Sequence, residues 1–229
     1  MEANENKQTI YDVFAKHNIE ISSILDVLHT NLPFLKDGIN LIVGESKAGK
    51  TFTTIQALVD NGFKDSIIHI DFDRNMDSKL KELNVLTYHI NNVDEFLKSL
   101  ADLDVEIILD SLKDKILVID SLQDLSLGDG VDTNSGALAT MHKVQGFKDT
   151  GATIILIHHV TSSTSGDFKV KGNSSVITSK ADTTIHFTKS NSLKRTMKII
   201  NTRAEDKIQS GKEFIFGKQV EKGSLSVPK

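Results

Sequence analysis

The chain contains no cysteine, which excludes disulfides, thiolate catalysis and Cys-based zinc sites. It has no apolar run near the roughly 20 residues that a membrane-spanning helix needs. The polar, acidic start MEANENKQT does not have the pattern of a secretory signal. The expectation is a cytoplasmic protein with no membrane partner. Neither acids nor bases dominate: 27 Lys and Arg against 31 Asp and Glu give a formal net charge of −4, so the whole molecule is not a generic polyanion binder. Arginine is also scarce. Arg74, Arg195 and Arg203 are all there is, too few to clamp a second nucleotide as a nucleotide kinase would. Internal repeats and long low-complexity segments are absent.

What is present is enough for one α/β domain: 229 residues, 38% hydrophobic and 25% charged. The charge is uneven. Residues 1–30 hold five acids against Lys7 and Lys16, whereas residues 194–229 hold nine bases against four acids, so the C-terminal end is the better candidate for touching phosphate. Helical spacing of apolar residues predicts short helices at 7–17 and 20–29. They form a linker segment (1–30) ahead of the main domain (31–229). Apolar runs at 39–43, 66–70, 85–90, 115–119 and 153–157 alternate with helices at 50–61, 76–83, 93–100 and 135–148. That alternation predicts a mainly parallel sheet covered on both faces. After residue 183 the chain changes character, and strands at 183–188, 196–201 and 213–217 predict a small antiparallel extension at the sheet edge. In open parallel sheets ligands bind beyond the carboxyl ends of the strands. Those ends carry Gly44, Asp71, Asp73, Asp120, His158 and His159.

The segment Gly44-Glu45-Ser46-Lys47-Ala48-Gly49-Lys50-Thr51 matches G-x-x-x-x-G-K-[ST] at every fixed position, between a strand and a helix. Glycines let the loop turn its N–H groups inward on phosphate oxygens, and the helix N-terminus adds a positive dipole end. The pattern assigns Lys50 to the β- and γ-phosphates of ATP and Thr51 to Mg²⁺. Asp120, closing the most apolar run of the chain, fits the second residue on the magnesium side. ATP and Mg²⁺ are the expected ligands, and ATP hydrolysis the expected reaction.

The order of these elements resembles the RecA-like P-loop ATPases over about residues 30–217. Within them it is most similar to the hexameric replicative helicases of the plasmid RepA and DnaB types. Four patches carry the resemblance. Ile68-His69-Ile70-Asp71-Phe72-Asp73 ends where RecA-like enzymes hold the carboxylate that activates water, which implies Asp73, with Asp71 in reserve. Leu156-Ile157-His158-His159-Val160-Thr161 ends where such enzymes sense the γ-phosphate, which implies His158 or His159. The polar stretch 161–175 corresponds to a mobile loop facing single-stranded nucleic acid, with Lys169 and Lys171 as phosphate contacts and Phe168 as a stacking residue. Lys198-Ile199-Ile200-Asn201-Thr202-Arg203 resembles the strand that reaches a neighbour's ATP. It implies an arginine finger, Arg203, acting in trans; the family's accompanying lysine is Asn201 here, with Arg195 and Lys198 as substitutes for it. Together these imply a small replicative DNA helicase that works on single-stranded DNA as a homo-oligomeric ring, with replication proteins as further partners. A RecA/RadA-like filament-forming recombination ATPase and a regulatory RecA-like ATPase without nucleic acid are the other readings of the same features. The C-terminal bases Lys212, Lys218, Lys222 and Lys229 are candidates for a partner protein or nonspecific DNA.

Overall fold

The computed structural model describes residues 25–72, 78–89, 111–125, 130–161, 169–190 and 194–216. The expected helices at 7–17 and 93–100 and most of that at 20–29 lie outside them. So do Asp73, Arg74, Phe168 and the lysines at 218, 222 and 229.

The architecture is α/β: a mostly parallel, mixed central sheet flanked by helices, with a small antiparallel sheet beside it. The small sheet pairs β1 (Asp26–Val27) with β2 (Leu35–Lys36). This corrects the helical expectation for the end of 20–29. Leu28 N–H donates to the Phe34 carbonyl, and the turn lets Leu32, Phe34 and Leu35 bury completely. Tertiary burial outweighs the helical spacing of Leu25 and Leu28.

The central sheet contains β3 (Ile39–Gly44), β4 (Ile67–Asp71), β5 (Leu86–His89), β6 (Ile116–Asp120), β7 (Thr153–Thr161), β9 (Thr183–Lys189), β10 (Arg195–Thr202) and β11 (Glu213–Phe216). Their order is β11-β10-β9-β3-β7-β6-β4-β5. From β9 to β5 every pairing is parallel. The pairs β9–β10 and β10–β11 are antiparallel, the edge extension that the later strands predict. A short β8 (Lys169–Val170) folds back on β7. Helix α1 (Lys50–Asp60) covers one face with α2 (Ser78–Leu83), and α3 (Asn134–Lys148) covers the other with α4 (Ser174–Lys180).

Strand alternation divides the core in two. Ile42, Val118, Ile155 and Ile157 meet Ile55 and Leu58 of α1. Leu41, Ile119, Ile154 and Leu156 meet Met141, Val144 and Phe147 of α3. The strands are nearly all apolar on both faces, as a covered parallel sheet requires.

Two further expectations change. β7 runs on through His158 and His159, which pair with Val43 and Gly44 of β3, to Val160 and Thr161, which pair with β8. The stretch 161–175, expected as one mobile loop, contains β8 and the start of α4. Asn173 caps α4 by accepting from the Val176 N–H, which satisfies one of the first N–H groups that lack a partner within the helix.

The amino ends of the strands are tied by Asp182, just before β9. Its side chain is 3% exposed. One oxygen accepts from the Ile39 N–H and from Lys148 Nζ, each at 2.8 Å, and the other lies 3.4 Å from Arg203 Nη1.

Candidate functional site

The site grows from the loop between β3 and α1. Two residues there, Lys47 (φ 59°) and Gly49 (φ 90°), adopt left-handed backbone, which curls the loop into a concavity of the kind that binds anions. Gly44 cannot carry a side chain: a Cβ would stand 2.6 Å from the Phe187 carbonyl oxygen. α1 begins at Lys50 with no side-chain cap, a helix start of the kind that can bind an anion. β-Branched residues crowd that first turn (Thr51, Thr53, Thr54, Ile55) and favour it little. The helix holds through the burial of Ile55, Ala57 and Leu58.

Lys50 is 5% exposed. Its ammonium donates to the Gly44 carbonyl at 3.1 Å and to the Glu45 carbonyl at 2.8 Å, and it lies 3.5 Å from His159 Nδ1. The Thr51 hydroxyl donates to Asp120 Oδ2, so the hydroxyl of the loop and the carboxylate of β6 meet across the gap between helix and strand.

Register brings the other groups in. Asp71 of β4 is opposite Asp120 of β6, and His159 of β7 is opposite Gly44 of β3. By alternation Asp71, Asp120 and His159 all project toward the α1 face, the side of the β3–α1 loop. His158 projects toward the α3 face, is fully buried, and has its Nε2 2.9 Å from the Lys171 carbonyl oxygen. The alternation thus separates the two histidines: His159 belongs to the loop side, and His158 supports the β7–β8 hairpin from behind. Asp71 is 2% exposed, and His89 Nδ1 approaches its Oδ2 at 3.2 Å as an ion-pair contact rather than an aligned hydrogen bond.

Both histidines stay neutral. Burial lowers His158 to a pKa of about 4. Burial, then the Lys50 and Lys171 charges, lowers His159. His69 is likewise lowered by burial to about 4. These values set a pH dependence. Unfolded His69 and His158 bind protons near pH 6.5 and the folded ones only near 4, so their stability contribution is fully present above about 6.5 and falls as pH drops through that window. Urea unfolding at pH 7 and pH 5 should differ by on the order of 2 kcal/mol for each of His69 and His158. His158→Asn should flatten the slope by one such step; an unchanged slope would refute the neutral buried histidine.

Lys169 is exposed on β8, whereas Lys171 is half-buried and donates to Gln123 Oε1 at 2.7 Å. Arg203 is not at this site. It lies at the opposite end of the sheet, held by Asp182 and the Ser179 carbonyl. The arginine beside the loop is Arg195, at the start of β10; a Cβ on Gly49 would stand 3.7 Å from its Nε. The antiparallel turn of β9 into β10 decides this, since it returns residue 195 to the phosphate-loop end and carries residue 203 away.

The residues present fit magnesium and a triphosphate: a left-handed glycine loop, an uncapped helix start, a buried lysine, and a hydroxyl and a carboxylate in contact. Among the described residues no cluster of three or more His, Asp or Glu side chains is gathered for a metal. An ion here would rest on Thr51, Asp120, phosphate oxygens and water, the arrangement typical of magnesium. No helix among the described residues is long and apolar enough to cross a membrane. In comparisons with protein-family models and with curated proteins, nothing matches the chain.

Proposed function

We propose that the protein binds and hydrolyses Mg-ATP and uses the cycle as a RecA-like motor on single-stranded DNA, in the manner of a small RepA- or DnaB-type replicative helicase. The observation that carries the ATPase reading is the contact of the Thr51 hydroxyl with the Asp120 carboxylate beside the buried Lys50. In this reading the loop N–H groups and Lys50 hold the β- and γ-phosphates, and Thr51 and Asp120 hold the magnesium ion, which neutralises charge developing on the phosphate oxygens. Neutral His159, 3.5 Å from Lys50, faces the terminal phosphate and donates one hydrogen bond to it. The carboxylate that orients the attacking water is Asp73, as the resemblance implies, or Asp71, the last residue of β4.

The motor part draws its support from the resemblance and from the hairpin. β7 carries His159 and, two residues on, pairs through Thr161 with Lys169 of β8, which is exposed, so a change at the phosphate is one strand pairing away from a cation able to hold a nucleic-acid backbone. Arg203 would act in trans. It is 53% exposed at the side chain and far from its own loop, so only a neighbouring subunit's nucleotide is available to it. That makes the ring, most simply a hexamer, the active unit.

The test is ATP hydrolysis with and without single-stranded DNA over a range of protein concentrations. Strand-stimulated turnover that rises cooperatively with concentration is expected. Turnover indifferent to DNA, to RNA and to concentration would remove the motor and leave a P-loop ATPase.

A further inference from the structure

Two lysines flank Val170, and the fold treats them differently. Lys169 is exposed. Lys171 is pinned: its N–H donates to the His159 carbonyl at 3.0 Å, its carbonyl oxygen lies 2.9 Å from His158 Nε2, and its ammonium donates to Gln123 Oε1 at 2.7 Å. On either side the chain is anchored. Val170 is buried in the core, and Gly172 turns at φ 78° so close to Val131 that a Cβ would meet its carbonyl oxygen at 2.7 Å. The side chain therefore has one direction to go, into an open cleft of about 470 Å³ that it lines with Ser46, Ser121, Gln123, Asp124 and His159. Ser46 belongs to the phosphate loop, and His159 stands 3.5 Å from Lys50 Nζ. Asp124, the cleft's own carboxylate, accepts from the Ser121 hydroxyl.

We propose that Lys171 is a nucleotide-site residue: its ammonium leaves Gln123 for an oxygen of the terminal phosphate and so makes the β7–β8 hairpin respond to ATP and not to ADP. This rests on the phosphate-loop reading above. The physics is a competition between acceptors. A lysine bonded to a neutral amide oxygen exchanges it for an anionic phosphate oxygen, the stronger charge-assisted partner, and its flexible four-carbon stem allows the swing without moving the backbone. ADP lacks the γ-phosphate and therefore those oxygens. Because His158 and His159 each hold one side of the Lys171 peptide, a pull on its side chain is delivered to the strand that leads to Lys169.

The test is isothermal titration calorimetry with MgADP and with a magnesium-bound, non-hydrolysable imido analogue of ATP. Lys171→Met should weaken the analogue about 10- to 100-fold, the range for a hydrogen bond to a charged group, and leave ADP within about twofold. Lys171→Arg should restore most of the difference. Gln123→Ala should tighten the analogue, because it removes the competing acceptor; a lysine serving only as a structural tie would instead weaken both nucleotides in both variants. Equal losses for the two nucleotides, or no loss, would overturn the proposal while wild-type binding that Lys50→Ala abolishes kept the phosphate loop intact. If wild type binds neither nucleotide, or Lys50→Ala binds both as wild type does, the phosphate-loop reading falls and the Lys171 proposal with it.

Discussion

Lys50→Ala should lower ATP turnover by a factor on the order of 10² to 10³, the loss seen when one preorganised donor is removed from a site of developing charge. The effect is large because the ammonium is already held where it is needed. It is 5% exposed and bonded to two carbonyls of its own loop, so it reaches a phosphate with little reorganisation. The same bonds predict a second, smaller consequence. Removing the side chain leaves the Gly44 and Glu45 carbonyls without that donor, at a cost of about 1–3 kcal/mol if water does not replace it. Steady-state turnover and a urea titration on the same sample separate the two effects. A fall in turnover of less than tenfold, with the fold intact, would overturn the assignment of residues 44–51 to phosphate.

Asp182→Ala should destabilise the domain by about 3–5 kcal/mol, the range for stranding one member of a buried ion pair. Lys148 and Asp182 are 9% and 3% exposed at the side chain and 2.8 Å apart, so solvent screens the pair little. The lost carboxylate also served the Ile39 N–H at the start of β3. Arg203 adds little, being half exposed at 3.4 Å. The double variant Lys148→Met/Asp182→Ala should recover a large part of the loss, because the uncompensated ammonium is gone. Equilibrium urea unfolding measures both. A loss below about 1 kcal/mol in the single variant would show that Lys148 finds another partner or reaches water. The same variant frees Arg203 from its only described carboxylate, so its effect on concentration-dependent hydrolysis reports on the arginine's role between subunits.

Much of the architecture was legible in the order of residues. The parallel strands read as near-continuous apolar runs because both of their faces are covered, and their ends were marked by Gly44, Asp71, Asp120 and the histidine pair. The loop between β3 and α1 was legible because its pattern is local: glycines, lysine and threonine stand at fixed spacing between a strand and a helix. Where the reading failed, a nonlocal contact had won. Leu25 and Leu28 have helical spacing, but the burial of Leu32, Phe34 and Leu35 draws that segment into a two-stranded pairing. The polar stretch after Thr161 looks like a loop because β8 is only two residues long, too short to leave a pattern of alternation.

The order of residues alone was enough for the α/β class, the place of the glycine-containing loop between β3 and α1 and the set of polar residues at the strand ends, since each follows from local spacing. Only the tertiary structure decided which of those residues face one another. Strand register sent His159 to the loop side and His158 behind the hairpin, the reversal between β9 and β10 put Arg195 beside Gly49 and Arg203 at the far end, and the β7–β8 hairpin turned Lys171 into the cleft while leaving Lys169 outside. The physical reason is that pairing in a sheet has a period of two and joins residues distant in the chain, so a single step of register moves a side chain from one face to the other.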